Sequence, residues 1–165
     1  MSTRCQIGFY NNEKDPIDKP EALIYRHSDG YPGDLENEWG VLQDIVPFLK
    51  WFKAARGLND TEYVAARLLQ WLCNQYDGFV QMKVPYDFEK KPFTGTLGHG
   101  ISKEFHDDIE FYYRVYPDVL EVYDIDFDSK PKDWKKIQTI ELCGTDAVPG
   151  KLDELISSTY FRRRI

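Results

Sequence analysis

The sequence predicts a single α+β domain over residues 1–165, a mostly antiparallel sheet with two adjacent helices packed on one face. Three observations lead there. Strand-like patterns outnumber helical ones, and the two strong helical patterns follow one another directly. No internal repeat, low-complexity tract or linker divides the chain.

Each element has its own signal. Arg4 to Tyr10 is expected as a strand, with Ile7 and Phe9 on one face. Asn11 to Pro20 is polar, carries two prolines and is expected as a loop. Ala22 to His27 follows as a second strand, antiparallel to the first. In the turn Ser28 to Gly33, Gly30 and Gly33 are expected at positive φ, while Asp29 accepts local backbone N–H bonds.

Val41, Leu42, Ile45, Phe48, Leu49 and Phe52 recur at helical spacing. Pro47 fits a helix that starts near Asp44, where the first-turn N–H groups are free, or else kinks a longer one. Gly57 is a stop, and Asn59-Asp60-Thr61-Glu62 resembles a capping box. The next stripe is Val64, Leu68, Trp71, Leu72 and Tyr76, ended by Gly78.

The pattern weakens from Phe79 to Pro92, and a short strand is expected at Leu97 to Ile101. Ile109 to Tyr116 alternates well, and Pro117-Asp118 turns it back into Val119 to Ile125 as a hairpin. Lys136 to Leu142 is a last strand and Lys151 to Ser158 a final short helix.

Composition narrows the function classes. The chain is 42% hydrophobic and 30% charged, as in globular domains, and 15% aromatic. An aromatic-rich core and sheet face is the plainest use of those rings. A net charge of −7 argues against general nucleic-acid binding, which needs clustered Lys and Arg, and Arg162-Arg163-Arg164 stands at the chain end. Cys5, Cys73 and Cys143 are odd in number and have no metal-ligand spacing, so they are expected as small buried hydrophobes in a reducing compartment. With no signal-peptide pattern and no apolar run of membrane-spanning length, a cytoplasmic location is expected.

Three constellations offer chemistry. The first is Arg4, Arg26, His27, Asp29 and Tyr31. If the first two strands pair, Arg4 and Arg26 approach across the sheet, and two guanidinium forks beside an imidazole suit a phosphate or carboxylate. Asp29 then orients His27. The structural alternative pairs Arg26 with Asp29 and lets Gly30-Tyr31-Pro32 lock a turn. The second is Gly98-His99-Gly100 with His106-Asp107-Asp108, where glycines admit a ligand close to the backbone. The His99 to His106 spacing with its two neighbouring carboxylates could supply metal ligands, and His27, His99 and His106 could meet at one site, but no metal-binding motif matches. The third, Asp124-Ile125-Asp126-Phe127-Asp128, has Ser129 and Lys135 where a calcium loop needs glycine and glutamate. It is expected to be a solvated strand end. No nucleophile elbow, phosphate loop or dinucleotide fingerprint occurs in the chain.

The residues Thr3, Arg4, Tyr25, His27, Asp29, Gly30, Tyr31 and Pro32 carry a resemblance. Over about its first fifty residues the chain resembles a loose family of small phage and bacterial proteins. These open on a Thr-Arg strand and continue with Tyr-x-His-x-Asp-Gly-Tyr-Pro before a helix. This chain has a longer insert between Gly33 and Val41. The resemblance implies a phage or mobile-element setting and brings no activity with it.

Together these readings favour a non-catalytic binding protein without a cofactor. It is expected to hold a small anionic, nucleotide-like ligand, or a host protein, through Arg4, Arg26, His27, Asp29, Tyr31 and His99. The alternative is a small phosphodiesterase or nuclease with His27 as general base and His99 or His106 in support. A structural protein with an aromatic partner surface is the third reading. Neither nucleic acid in general nor a membrane is expected as a partner.

Overall fold

A computed structural model describes residues 3–73, 98–147 and 149. Six strands form one sheet in the order β3-β2-β1-β4-β5-β6. They are β1 (Cys5–Phe9), β2 (Ala22–Arg26), β3 (His99–Ile101), β4 (Phe111–Tyr116), β5 (Val119–Asp124) and β6 (Lys135–Glu141). Two helices, α1 (Val41–Arg56) and α2 (Thr61–Cys73), pack on one face. The expected α+β architecture is therefore the one observed. Every neighbouring pair is antiparallel except β1 and β4, which run parallel because the chain visits β2, both helices and β3 before returning.

The two sheet faces are built differently. Cys5, Ile7 and Phe9 of β1, Tyr113 and Val115 of β4, and Leu120 and Val122 of β5 face the helices. They join the α1 stripe of Val41, Leu42, Ile45, Phe48, Leu49 and Phe52 and the α2 stripe of Val64, Leu68, Trp71 and Leu72. The opposite face is aromatic: Tyr10, Tyr112, Tyr116 and Tyr123 pack with Ile109 and Trp134. Phe105 closes on it, its ring edge-on to Tyr112 and Trp134. Gly8 makes room on this face. A Cβ there would lie 1.6 Å from the Tyr112 hydroxyl, which instead meets the Tyr10 hydroxyl at 2.5 Å.

Several local expectations are corrected. α1 begins at Val41 rather than near Asp44 and runs through Pro47, which sits on the exposed side and cannot donate to Gln43. Its first N–H groups find partners outside the helix: Val41 donates to the Tyr31 carbonyl at 3.0 Å and Leu42 to the Pro32 carbonyl at 3.1 Å. Gly57, at φ 85°, ends it as expected. The cap of α2 is Asp60, one residue later than the capping-box pattern placed it, with its carboxylate accepting from the Tyr63 N–H at 3.3 Å. Positive φ falls on Asp29 and Gly33, not Gly30. Gly30 is required by space instead, since a Cβ would lie 2.8 Å from the backbone of Arg4 and Cys5.

Cys5 is buried, with its thiol pushed up to about 12 chiefly by that burial. Cys143 is exposed, against the expectation of a buried thiol. Tyr76, Gly78, the weak stretch 79–92, the 151–158 helix and the terminal arginines lie outside the described residues. Among the described residues, no helix is long and apolar enough to cross a membrane.

Candidate functional site

Strand alternation decides which polar side chains meet. On β2, Ala22, Ile24 and Arg26 share the helix face, while Tyr25 and, just beyond the strand, His27 share the other. Arg26 is opposite Cys5 in the β1 register and opposite His99 in β3. It is 1% exposed. Its Nη1 donates to Asp44 Oδ2 of α1 at 2.6 Å and its Nε to the Ser28 carbonyl at 2.9 Å. The Trp39 ring lies 5.6 Å from its guanidinium carbon. Its carboxylate partner is thus Asp44 rather than the Asp29 of the structural alternative.

Arg4 goes elsewhere. It stands one residue before Cys5, so its side chain takes the face opposite Arg26 and pairs with Asp108. The expected approach of the two guanidiniums does not occur, because a one-residue offset in register exchanges faces.

The histidines divide in the same way. His99 is buried beside Arg26 on the helix face, and its pKa is lowered to about 3, first by burial and then by the Arg26 charge. His27 and His106 flank Tyr25 on the other face. The Tyr25 hydroxyl is 3.1 Å from His27 Nδ1, and the Tyr25 and His106 ring centroids are 4.4 Å apart. Among the described residues, no group of three or more His, Cys, Asp or Glu side chains could hold a metal ion.

His106 is held by its own loop. Its backbone N–H donates to Gln6 Oε1 at 3.0 Å, Gln6 Nε2 donates to the Glu104 carbonyl at 3.1 Å, and Ser102 Oγ is 3.3 Å from His106 Nε2. Ile101 to Asp108 line a concavity of about 570 Å³. Gly100 is opposite Tyr25 in the β2–β3 register, and a Cβ built on it would meet only open space. Tyr25, His27 and His106 thus meet on this face, with the buried Ser102 against His106 and Asp108, the partner of Arg4, at the end of the same concave loop.

Asp29 and Tyr31 are not part of that surface cluster. Asp29 is exposed at the turn, at φ 54°. Tyr31 gives its carbonyl to α1 and sets its ring edge-on to Trp39, with centroids 6.1 Å apart. Of the six residues expected to bind ligand, His27 lies against Tyr25, Arg4 pairs with Asp108 on the same sheet face, and Arg26 and His99 are interior. Tyr25 is absent from those six, and the signal that finds it is its i, i+2 spacing to His27, which puts the two on one strand face.

A second polar cluster, on the same face but farther along the sheet, had no sequence signal beyond the β4–β5 hairpin. Arg114 and Glu121 are directly opposite and bonded at 3.1 Å. Tyr123 and Lys136 also donate to the Glu121 carboxylate, each at 2.8 Å. Burial alone would raise the Glu121 pKa, but the bonds from Lys136 and Tyr123 prevail and lower it. Arg114 Nη2 reaches out to the Glu13 and Asp15 carbonyls at 2.8 and 2.7 Å, tying down the 11–20 loop.

The fold and this site define an α+β protein with a histidine- and tyrosine-lined surface at one edge of its sheet. Compared with family models, with curated proteins and with solved structures, the chain matches none.

Proposed function

We propose that this chain is a non-catalytic binding protein that holds a small anionic, nucleotide-like ligand against the Tyr25 surface. The observation that carries the proposal is Tyr25 set between two imidazoles, beside a glycine that leaves its flank open. Rings of this kind offer a base a stacking surface. Arg4, whose half-exposed partner is Asp108, supplies a planar donor fork for phosphate, and His27 and His106 add donors when protonated. The resemblance of the N-terminal motif adds a phage or mobile-element setting, in which sequestering a host signalling nucleotide would serve counter-defence.

Thermal unfolding of the full chain against a panel of cyclic and linear nucleotides tests this reading. A nucleotide bound at one hundred times its Kd stabilises the native state by about 2.7 kcal/mol, a readily measured rise in Tm. His27→Ala and Arg4→Ala are expected to shrink that rise. If no nucleotide raises the Tm of the unsubstituted chain, the reading fails. Hydrolysis of a panel member that depends on His27 would support the phosphodiesterase alternative instead.

A further inference from the structure

The loop 31–40 is built more rigidly than a connection between β2 and α1 requires. Asp34 Oδ1 accepts from the Glu36 and Asn37 N–H groups, and the Asp34 N–H donates to the Glu38 carbonyl at 2.8 Å. Gly33 has φ 64°, and a Cβ on it would lie 2.4 Å from the Glu38 carbonyl oxygen. A Cβ on Gly40 would lie equally close, 2.4 Å, to the Pro32 carbonyl oxygen. This frame holds two large apolar side chains outward: Leu35 is 42% exposed and Trp39 is 40% exposed. Asp34, Glu36 and Glu38 stand in the same loop and Asp29 in the turn before it, and no Lys or Arg occurs between His27 and Leu49. The cation against the Trp39 ring is the buried Arg26, 5.6 Å away, whose charge is paired with Asp44.

We propose that the 31–40 loop docks a basic protein segment with a bulky apolar anchor, seated on Leu35 and Trp39 and steered by the surrounding carboxylates. The charge pattern selects the occupant. Four carboxylates repel nucleic-acid phosphates and anionic lipid, and they complement Lys and Arg side chains. A partly exposed tryptophan on a pre-ordered loop is the type of group that carries binding energy at interfaces, because little ordering cost remains. This surface is separate from Tyr25 and His27, so the proposal does not depend on a nucleotide ligand.

Selection from a random peptide library against the full chain, followed by anisotropy titration of the selected peptides, tests the proposal. The peptides are expected to carry net positive charge and a large apolar residue, to bind more weakly as salt rises, and to shift the Trp39 indole N–H resonance. Leu35→Ala and the double substitution Glu36→Lys/Glu38→Lys are each expected to weaken binding by more than about tenfold. The two glutamates are exposed, so the charge reversal alters the surface without disturbing the core. Absence of any enriched peptide, enrichment of acidic or neutral ones, or binding unaffected by both variants would overturn the proposal.

Discussion

Arg26 and Asp44 form a buried ion pair that locks the end of β2 to the first turn of α1, with Nη1 and Oδ2 2.6 Å apart and side chains 2% and 6% exposed. Both charges have left water, so each depends on the other. Removing one partner from such a pair typically costs about 3–5 kcal/mol, a large share of the roughly 5–15 kcal/mol that holds a domain folded. Asp44→Ala is therefore expected to lower the urea midpoint sharply. Arg26→Met combined with Asp44→Leu is expected to recover most of the loss, since an apolar pair of similar volume leaves no stranded charge. A double variant as unstable as Asp44→Ala would show that Arg26 acts through its other contacts.

Gly8 and Tyr112 make the second test. A methyl group at residue 8 would sit 1.6 Å from the Tyr112 hydroxyl and 2.6 Å from its ring carbon Cζ. Overpacking of this kind costs about 1–3 kcal/mol. Gly8→Ala is expected to unfold at lower denaturant, and Tyr112→Phe in the same chain to restore only part, because the ring carbon still obstructs the methyl. Calorimetry of the single and double variants checks the order.

These two relationships mark what could be seen in the sequence. Ile7 with Phe9, the α1 stripe and the alternation of Phe111 to Tyr116 announce the elements, because burial on one face imposes its period on the residues. The pairing of Arg26 with Asp44, 18 positions apart, has no such period. Pairing of the first two strands is readable from their patterns but its exact register is not, and with Cys5 opposite Arg26 the side chain of Arg4 goes to the other face. The parallel β1–β4 contact was equally hidden, since it depends on the order of the strands rather than on the pattern of any one of them. The Tyr31 and Pro32 carbonyls that cap α1 show that part of the His27 to Pro32 signature serves the fold.

His99 gives the stability a pH dependence. Its folded pKa is about 3 against an ordinary 6.5, so the native state holds it neutral. Below pH 6.5 the unfolded chain takes up a proton that the folded chain refuses. The contribution of His99 is thus fully present above pH 6.5 and is lost as pH falls toward 3, at up to about 1.4 kcal/mol per pH unit. His99→Gln is expected to flatten the fall in urea-derived stability across that window. An unchanged slope would assign the acid sensitivity to the carboxylates.

Arg114 is expected to control the 11–20 loop. Its guanidinium donates to Glu121 and to the carbonyls of Glu13 and Asp15, and it lies over the Tyr10 and Tyr116 rings at 4.9 and 5.3 Å. Arg114→Met keeps the packing stem but strands two loop carbonyls and removes one cation from the Glu121 carboxylate. The loss is expected near the lower end of the range for a broken buried pair, about 3 kcal/mol, because Lys136 and Tyr123 still serve Glu121. Limited proteolysis separates the local effect from the global one. With the loop untied, cleavage between Asn11 and Pro20 is expected to accelerate more than cleavage elsewhere under native conditions. Equal acceleration at all sites would show that the arginine stabilises the sheet alone.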